Sequence, residues 1–268
     1  MGDKARKYKP STVRRLDTLS CNQCANPECS RKLIAKDGET IISQICHIEA
    51  ASPYGPRYNP QMSDDERRDF DNLILLCDEC HSIIDNMANK NKYTVKLLKE
   101  WKRKHEDKCR QGKLIKNPKL INQAINVIAS IDIKNEQDSF SLKSFDIDKK
   151  IEHNSVKEYR YVIEEYKIYH GKLNSLYSEL ENQGSFKKEK LLKIIRNIYL
   201  NVKGEIVRGR ENELEIIQQN ADRILKEVEK RLWELIDKSQ SSEDDIFIAL
   251  PVIIVDAFMR CKILEEPK

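Results

Sequence analysis

Cysteines are concentrated in the first third of this 268-residue sequence, where six of the eight lie between positions 21 and 80. Cys77 and Cys80 have the two-residue gap of a zinc knuckle, which needs a second pair of thiolates to complete a tetrahedral site. Two upstream pairs can supply it, Cys21 with Cys24 or Cys24 with Cys29. Spacing alone favours Cys21 with Cys24, because two intervening residues is the standard knuckle. The sequence therefore predicts a structural Zn²⁺ site.

Two histidines and an asparagine accompany these cysteines. His47 lies in the segment QICHIEA, Asn72 opens the segment NLILLCDECH, and His81 directly follows Cys80. An imidazole has a pKa suited to taking a proton from water near neutral pH, and a neutral imidazole also binds metals. Outside any wider motif, both histidines are more often ordinary core or knuckle residues.

The elements that position these side chains differ between the two halves of the chain. Asp37-Gly38, between two segments rich in β-branched residues, predicts a β-hairpin. The segment of residues 93–108 is rich in Lys and Arg and is predicted to form a basic helix. From about residue 150, apolar residues recur every three or four positions, which predicts four or five packed helices, the last kinked or started anew at Pro251. We expect an α+β domain over residues 1–112, a connector over 113–149 and an all-α domain over 150–268.

Charge and hydropathy narrow the function classes. Residues 1–112 hold 21 Lys and Arg against 17 Asp and Glu, whereas the remainder holds 27 of each, so the whole excess of +4 lies in the first domain. A basic module beside a neutral one is typical of a protein in which one part meets an anion. The longest apolar run, Ile246–Val255, is too short to span a bilayer, and the N-terminus has no signal-peptide core. We expect a cytoplasmic protein with no membrane partner.

The segments CANPECSRKL, CHIEAASPYGPRY and NLILLCDECHSIID resemble the HNH, or ββα-metal, endonucleases of bacterial anti-phage systems. The resemblance covers roughly residues 14–108. It implies a zinc-stapled ββα-metal fold, hydrolysis of DNA phosphodiester bonds, and a structural zinc held by Cys24, Cys29, Cys77 and Cys80, with Cys21 left outside the site.

The resemblance also implies roles for the polar residues. His47 is the general base, His81 binds a catalytic divalent cation such as Mg²⁺, and Asn72 fixes the loop and His47. This chain has Cys46 where many HNH enzymes carry a metal-binding Asp, and thiolate is a poor ligand for Mg²⁺. Glu49 is an alternative ligand, and a small buried residue is the alternative interpretation of Cys46.

Contacts with DNA are predicted from basic residues. Arg57, Arg67 and Arg68 are candidates for phosphate contacts, together with the N-terminal arm and the KEWKRKHE helix, although each charge alone is more often simply solvated. Cys109 and Cys261 are predicted to be unmodified thiols.

The C-terminal segments FDIDKKIEHN, IYLNVKG and PVIIVDAFMRCKILEEP resemble the C-terminal domain of effectors in ABC three-component defence systems. The resemblance, over about residues 140–268, implies docking to an SMC/Rad50-like ABC ATPase and to a middle component. The alternative is an autonomous bundle that forms a homo-oligomer of the nuclease. Two other functions stay open: a non-catalytic zinc-dependent DNA-binding module, and a stand-alone restriction-type HNH nuclease.

Overall fold

The protein is described by a computed structural model that covers residues 4–117, 119–131, 146–238 and 244–267. The chain divides into two compact units, residues 1–116 and residues 117–268. The first boundary therefore lies four residues beyond the predicted end at residue 112, because the basic helix continues to residue 116.

The first unit combines a small sheet with helices. Its elements are α1 (Pro10–Ser20), β1 (Ser43–His47), α2 (Asp64–Arg67), β2 (Leu73–Cys77), α3 (Asp78–Asp85) and α4 (Val95–Lys116). Pro10 suits the first turn of α1, where no intrahelical bond needs its missing N–H. Asp78 and Glu79 suit the first turn of α3, because negative charge complements the positive end of a helix.

β1 and β2 form an antiparallel pair that leads directly into α3. Ser43 lies opposite Cys77 and His47 lies opposite Leu73, so the 25-residue segment 48–72 connects the two strands. All five residues of β2 are buried. The pairing therefore places His47 at the end of β1 and the Cys77 knuckle at the opposite end of the sheet.

The hairpin predicted around Asp37-Gly38 is only partly correct. The turn forms, with Gly38 at a φ of 79°, but Ile34 and Ile41 make a single isolated bridge instead of a ladder. Ile34 and Ile41 are 40% and 72% exposed, so this pairing buries little apolar surface. The second strand pairs instead with the fully buried β2, because burial of apolar area is the larger stabilising term.

The core of the first unit is built around sulfur atoms. Cys24, Cys77 and Cys80 belong to the same buried cluster as Ile84 and Leu98, which come from α3 and α4. Because the metal ligands themselves belong to this cluster, metal binding contributes directly to its folding free energy. Loss of the thiols is therefore expected to affect the whole unit.

The second unit is helical. Its helices are α5 (Leu120–Ser130), α6 (Ile147–His153), α7 (Arg160–Tyr166), α8 (His170–Asn182), α9 (Lys187–Val207), α10 (Glu213–Lys238) and α11 (Leu250–Met259). The sequence predicts four or five helices from about residue 150, which is too few, since α6 to α11 are six helices in the described residues. The short helices α6 and α7 span only two turns each and show no clear period.

The predicted connector 113–149 is not a separate region where it is described. Residues 113–116 complete α4, and α5 packs against α9 with Ile121, Ala124 and Ile125 fully buried. These side chains give α5 an apolar face, so it belongs to the core of the second unit. Residues 132–145 of the predicted connector lie outside the described part.

α11 forms the centre of the second unit. Its residues from Leu250 to Phe258 are all buried, and it contacts helices α5, α7, α8, α9 and α10. Pro251 lies in its first turn, as predicted. The apolar segment 246–264 is thus covered by the unit's own helices. None of the helices described here is long and apolar enough to cross a membrane.

Candidate metal centre and active site

Four cysteines converge at the start of α3. The sulfur atoms of Cys24, Cys29, Cys77 and Cys80 all lie within 4.8 Å of one another, and the Cys29 and Cys77 sulfurs are 3.9 Å apart. A tetrahedral zinc with Zn–S bonds of about 2.3 Å requires sulfur atoms about 3.8 Å apart. The quartet therefore fits a structural Zn²⁺, and it contains the pair Cys24 and Cys29.

Polar contacts around the quartet favour thiolate ligands. The backbone N–H of Cys77 donates to the Cys24 sulfur at 3.4 Å, and the Asn26 amide donates to the Cys80 sulfur at 3.2 Å. Burial raises the pKa of Cys24 above its usual range and that of Cys80 to about 11. Despite the burial of Cys77, hydrogen bonds from the neighbouring cysteines lower the pKa of its thiol. Four thiolates this close need a cation to compensate their charge, which is the role that zinc performs.

Cys21 and Cys109 correct the sequence interpretation. They form a disulfide across 88 positions, whereas Cys109 was predicted to be an unmodified thiol and spacing alone favoured Cys21 as a zinc ligand. Cys21 directly follows α1 and Cys109 lies on α4, and these two helices pack together. The packing brings the two cysteines into bonding distance, which removes Cys21 from the metal site.

His47, at the end of β1, is buried to 9% exposure. Its Nε2 lies 3.1 Å from the carbonyl oxygen of Ala5, and the ring of Tyr8 lies 5.7 Å from its own ring. When Nε2 carries the proton and donates it to this carbonyl, Nδ1 is the unprotonated nitrogen. Burial lowers the pKa of His47, so the ring is neutral near pH 7 and able to accept a proton.

Asn72 joins the two strands just beyond His47. Its side-chain oxygen accepts from the Glu49 N–H at 2.8 Å, and its side-chain nitrogen donates to the carbonyls of Glu49 and Arg67, both at 2.9 Å. Its backbone carbonyl accepts from the Ile48 N–H at 2.8 Å. The two residues that follow His47 are therefore held by one buried asparagine.

A second group of side chains with the donor types of a metal site includes Cys46, the residue directly before His47. Cys46, His81 and Asp85 bring a thiol, an imidazole and a carboxylate within 4.8 Å of one another. The sequence analysis did not identify Asp85 as a candidate ligand. Its position four residues after His81 is the signal that could have found it, because this spacing places both side chains on one face of α3. Glu49, the alternative ligand from the sequence, lies outside this group among the residues described.

The Arg57 side chain is buried and makes its hydrogen bonds within the first unit. Its side chain is 3% exposed, and it donates to the carbonyls of Ile48 and Ile84 at 2.8 and 2.9 Å and to the Asp85 carboxylate at 3.2 Å. These contacts connect the residue after β1 to the end of α3. Its predicted contact with DNA stays a prediction, and it would require these bonds to break.

Arg67 and Arg68 differ in exposure. Arg67 is 3% exposed and donates to the carbonyls of Ala50, Asn59 and Met62, so it fixes the segment between the strands. Arg68 is 27% exposed and pairs with Asp65 on the surface. Of the three arginines predicted to contact DNA, Arg68 is the one whose side chain is best exposed to solvent.

Comparison with known proteins identifies the second unit. A family model described as C-terminal domain 10 of the ABC-three component (ABC-3C) systems matches residues 121–265, which is more than half of the chain. The match runs from α5 to just beyond α11 and leaves out the cysteine-rich first unit. No curated protein matches the chain. The predicted relationship of the C-terminal half is confirmed: the chain belongs to the family defined by this C-terminal domain of the ABC-3C anti-phage systems.

Proposed function

We propose that this protein is a metal-dependent HNH endonuclease that hydrolyses DNA and acts as the nuclease effector of an ABC-3C system. The observation that carries the proposal is the arrangement of His47 at the end of β1, Asn72 directly before β2 and His81 on α3, with a cysteine quartet at the start of α3. Each residue reaches this region from a different part of the sequence. The spacing of the motifs and the placement of their side chains support the same site.

In the proposed reaction His47 acts as the general base. A neutral ring whose Nε2 faces the Ala5 carbonyl keeps Nδ1 able to take a proton from the attacking water. Asn72 positions this base indirectly, because it holds the backbone of Ile48 and Glu49 next to it. The zinc quartet fixes the start of α3 and thereby the position of His81.

A divalent cation fits beside His47, where His81 and Asp85 supply nitrogen and oxygen ligands. When bound, such a cation supplies positive charge to the phosphate and its leaving oxygen. Arg57 holds the Asp85 carboxylate in place, since its guanidinium lies 3.2 Å from one oxygen. Loss of Arg57 is therefore expected to displace Asp85.

A cleft of about 720 Å³ lies between residues 21–30 and α4, on the side of the cysteine quartet, and its lining does not include His47, Asn72 or His81. Four lysines of α4 line it: Lys104, Lys108, Lys113 and Lys116. Lysines contribute sequence-independent affinity for the DNA backbone that weakens with salt. The lysines of α4, the helix predicted to be basic, therefore support phosphate contacts on the quartet side of the unit, apart from the proposed catalytic residues.

The second unit, by its family, associates with other components of an ABC-3C system. We propose that these are an SMC/Rad50-like ABC ATPase and a middle component. This membership favours a component of an assembly over a stand-alone restriction-type nuclease. The rival of a different class is a non-catalytic zinc-dependent DNA-binding module, which Cys46 in place of a carboxylate favours.

The test is cleavage of plasmid DNA by the full-length protein with Mg²⁺, Mn²⁺ or Zn²⁺ added separately. His47→Gln should lower the rate by about 10²–10⁴-fold, as expected for loss of a positioned general base, while DNA binding stays within a few-fold. His153→Ala, a histidine of α6, is the matched control and should cleave normally. Equal rates for His47→Gln and wild type, or binding without any cleavage, would favour the DNA-binding module.

A further inference from the structure

The group beside His47 contains a ligand that Mg²⁺ does not favour. Cys46 is fully buried and comes from β1, whereas His81 and Asp85 lie four residues apart on α3. The Cys46 thiol donates to one Asp85 oxygen at 3.5 Å, and His81 Nε2 lies 3.4 Å from the other. A thiol from β1 and an imidazole and a carboxylate from α3 therefore lie close together.

The spacing of these three donors is compatible with a single bound metal ion. Zinc bond lengths of about 2.3 Å to sulfur, 2.0–2.1 Å to nitrogen and 2.0–2.2 Å to oxygen give ligand separations of about 3.6 Å for S–O and 3.4 Å for N–O. The Cys46 sulfur lies 3.5 Å from Asp85 Oδ1, whereas His81 Nε2 lies 3.4 Å from Asp85 Oδ2. A metal bound through one carboxylate oxygen therefore requires the Asp85 side chain to turn, although one donor atom of each residue already lies within 4.8 Å of the others. Three protein ligands leave a fourth position open, as in catalytic zinc sites.

The surroundings hold the three side chains in place. Arg57 contacts Asp85 and also bonds the carbonyls of Ile48 and Ile84, so it links the end of β1 to the end of α3. A bond of this kind orients a metal-binding carboxylate from outside the ligand set. Cys46 has no exposed surface and is 3.7 Å from the His47 carbonyl, so its sulfur has little freedom. The site is therefore largely formed before any metal binds.

We propose that Cys46, His81 and Asp85 form a second metal site, distinct from the cysteine quartet, that takes a thiophilic divalent cation of the zinc class and discriminates against Mg²⁺. The chemical reason is that thiolate and imidazole select soft and borderline metals, whereas Mg²⁺ requires near-octahedral oxygen ligands. This inference deepens the proposed function, because the cation would lie beside His47. Metal binding itself does not depend on nuclease activity.

The test is titration of full-length protein, with zinc in the quartet, using Co²⁺ as the probe. We expect one additional Co²⁺ per chain, accompanied by a near-ultraviolet sulfur-to-cobalt absorption. Zinc released into solution is measured in parallel, since cobalt in the quartet would absorb in the same region. An excess of Mg²⁺ should leave the absorption unchanged.

Variants assign the absorption to this site. Cys46→Asp should abolish it, while Cys261→Ser, which alters a buried thiol of the second unit, should retain it. His81→Gln and Asp85→Asn should each weaken Co²⁺ binding by at least about 10–100-fold, since even the loss of an outer partner costs that much. These two side chains are 30% and 39% exposed, so both changes should spare the fold if Cys46→Asp disturbs it.

Each outcome is decisive. Absence of a second Co²⁺, a second Co²⁺ without the sulfur absorption, or unaltered affinity in His81→Gln would overturn the inference. A second Co²⁺ with the absorption but no DNA cleavage under any metal would support this site and overturn the nuclease function. Cleavage that Mg²⁺ alone supports equally in wild type and Cys46→Ala, together with no sulfur absorption on adding Co²⁺, would support the nuclease and overturn the thiophilic site.

Discussion

The buried asparagine between the strands provides the sharpest test of how the site is held. Asn72→Asp preserves the shape of the side chain and the oxygen that accepts from the Glu49 N–H. It replaces the donor nitrogen by a second oxygen, which then lies about as close as the present 2.9 Å to the carbonyls of Glu49 and Arg67. Two hydrogen bonds become two repulsive contacts in a place that is 3% exposed.

The magnitude follows from these contacts. Leaving two buried acceptors without their donor costs about 1–3 kcal/mol each, so the free energy of unfolding should fall by about 2–6 kcal/mol at neutral pH. Repulsion by the two carbonyls and burial raise the pKa of the introduced carboxyl in the folded protein above its value of about 3.9 in the unfolded chain. The protonated form, which can donate one bond, is present below that unfolded pKa. Its stabilising effect is lost as pH rises through the folded pKa.

The assay is urea unfolding of full-length, zinc-loaded protein followed by Trp101 fluorescence in a Trp233→Phe background, so that only the first unit is observed. The difference between Asn72→Asp and wild type should be larger at about pH 7 than at about pH 5. Asn89→Asp is the matched control, because its side-chain nitrogen makes one bond, 2.9 Å to Ile83, at the surface. Equal stability of Asn72→Asp and wild type, or a pH dependence shared with Asn89→Asp, would show that the Asn72 side chain does not hold residues 48 and 49 in place.

Three further predictions concern the metal, the disulfide and the division of labour. Cys77→Ser should lose about one zinc per chain by elemental analysis and lose protection from hydrogen exchange across the first unit, because metal binding supplies folding free energy; full retention of zinc would contradict the quartet. Cys109→Ser should lower the free energy of unfolding by up to about 4–5 kcal/mol, since the bond to Cys21 closes a loop of 88 positions; a free thiol at both positions in non-reducing mass spectrometry would disprove the disulfide. A chain shortened to residues 1–116 should keep its zinc and bind DNA with a steep salt dependence, yet fail to co-purify with an ABC ATPase encoded beside it; co-purification would remove the docking role from the second unit.

Local sequence patterns were sufficient to predict structural features that depend only on residues near one another in the chain. The two-residue gap between Cys77 and Cys80 predicted a knuckle, and the basic pattern over residues 93–108 predicted the helix that became α4. The apolar period beyond residue 150 also predicted helices correctly, and α10 is the longest of those described. In each case the spacing of residues within one element carries the information, because helix geometry alone fixes which side chains share a face.

Local patterns could not predict which residues far apart in the sequence contact one another, because those contacts depend on how the helices pack. Spacing favoured Cys21 for the zinc, yet its partner is Cys109, because α1 packs against α4 and brings the two sulfurs together. The resemblance to HNH enzymes included Cys29, and the quartet in the structure contains it.

By itself, the sequence determined the knuckle, the basic first part and the relationship of its C-terminal half. The tertiary structure decided which strand pairs with β1, placed Asp85 beside Cys46, and turned Arg57 inward to link β1 with α3. These outcomes join residues that are tens of positions apart, so they depend on which combination buries the most apolar surface and satisfies the most polar groups. That free energy belongs to the whole fold, and no local spacing of residues encodes it.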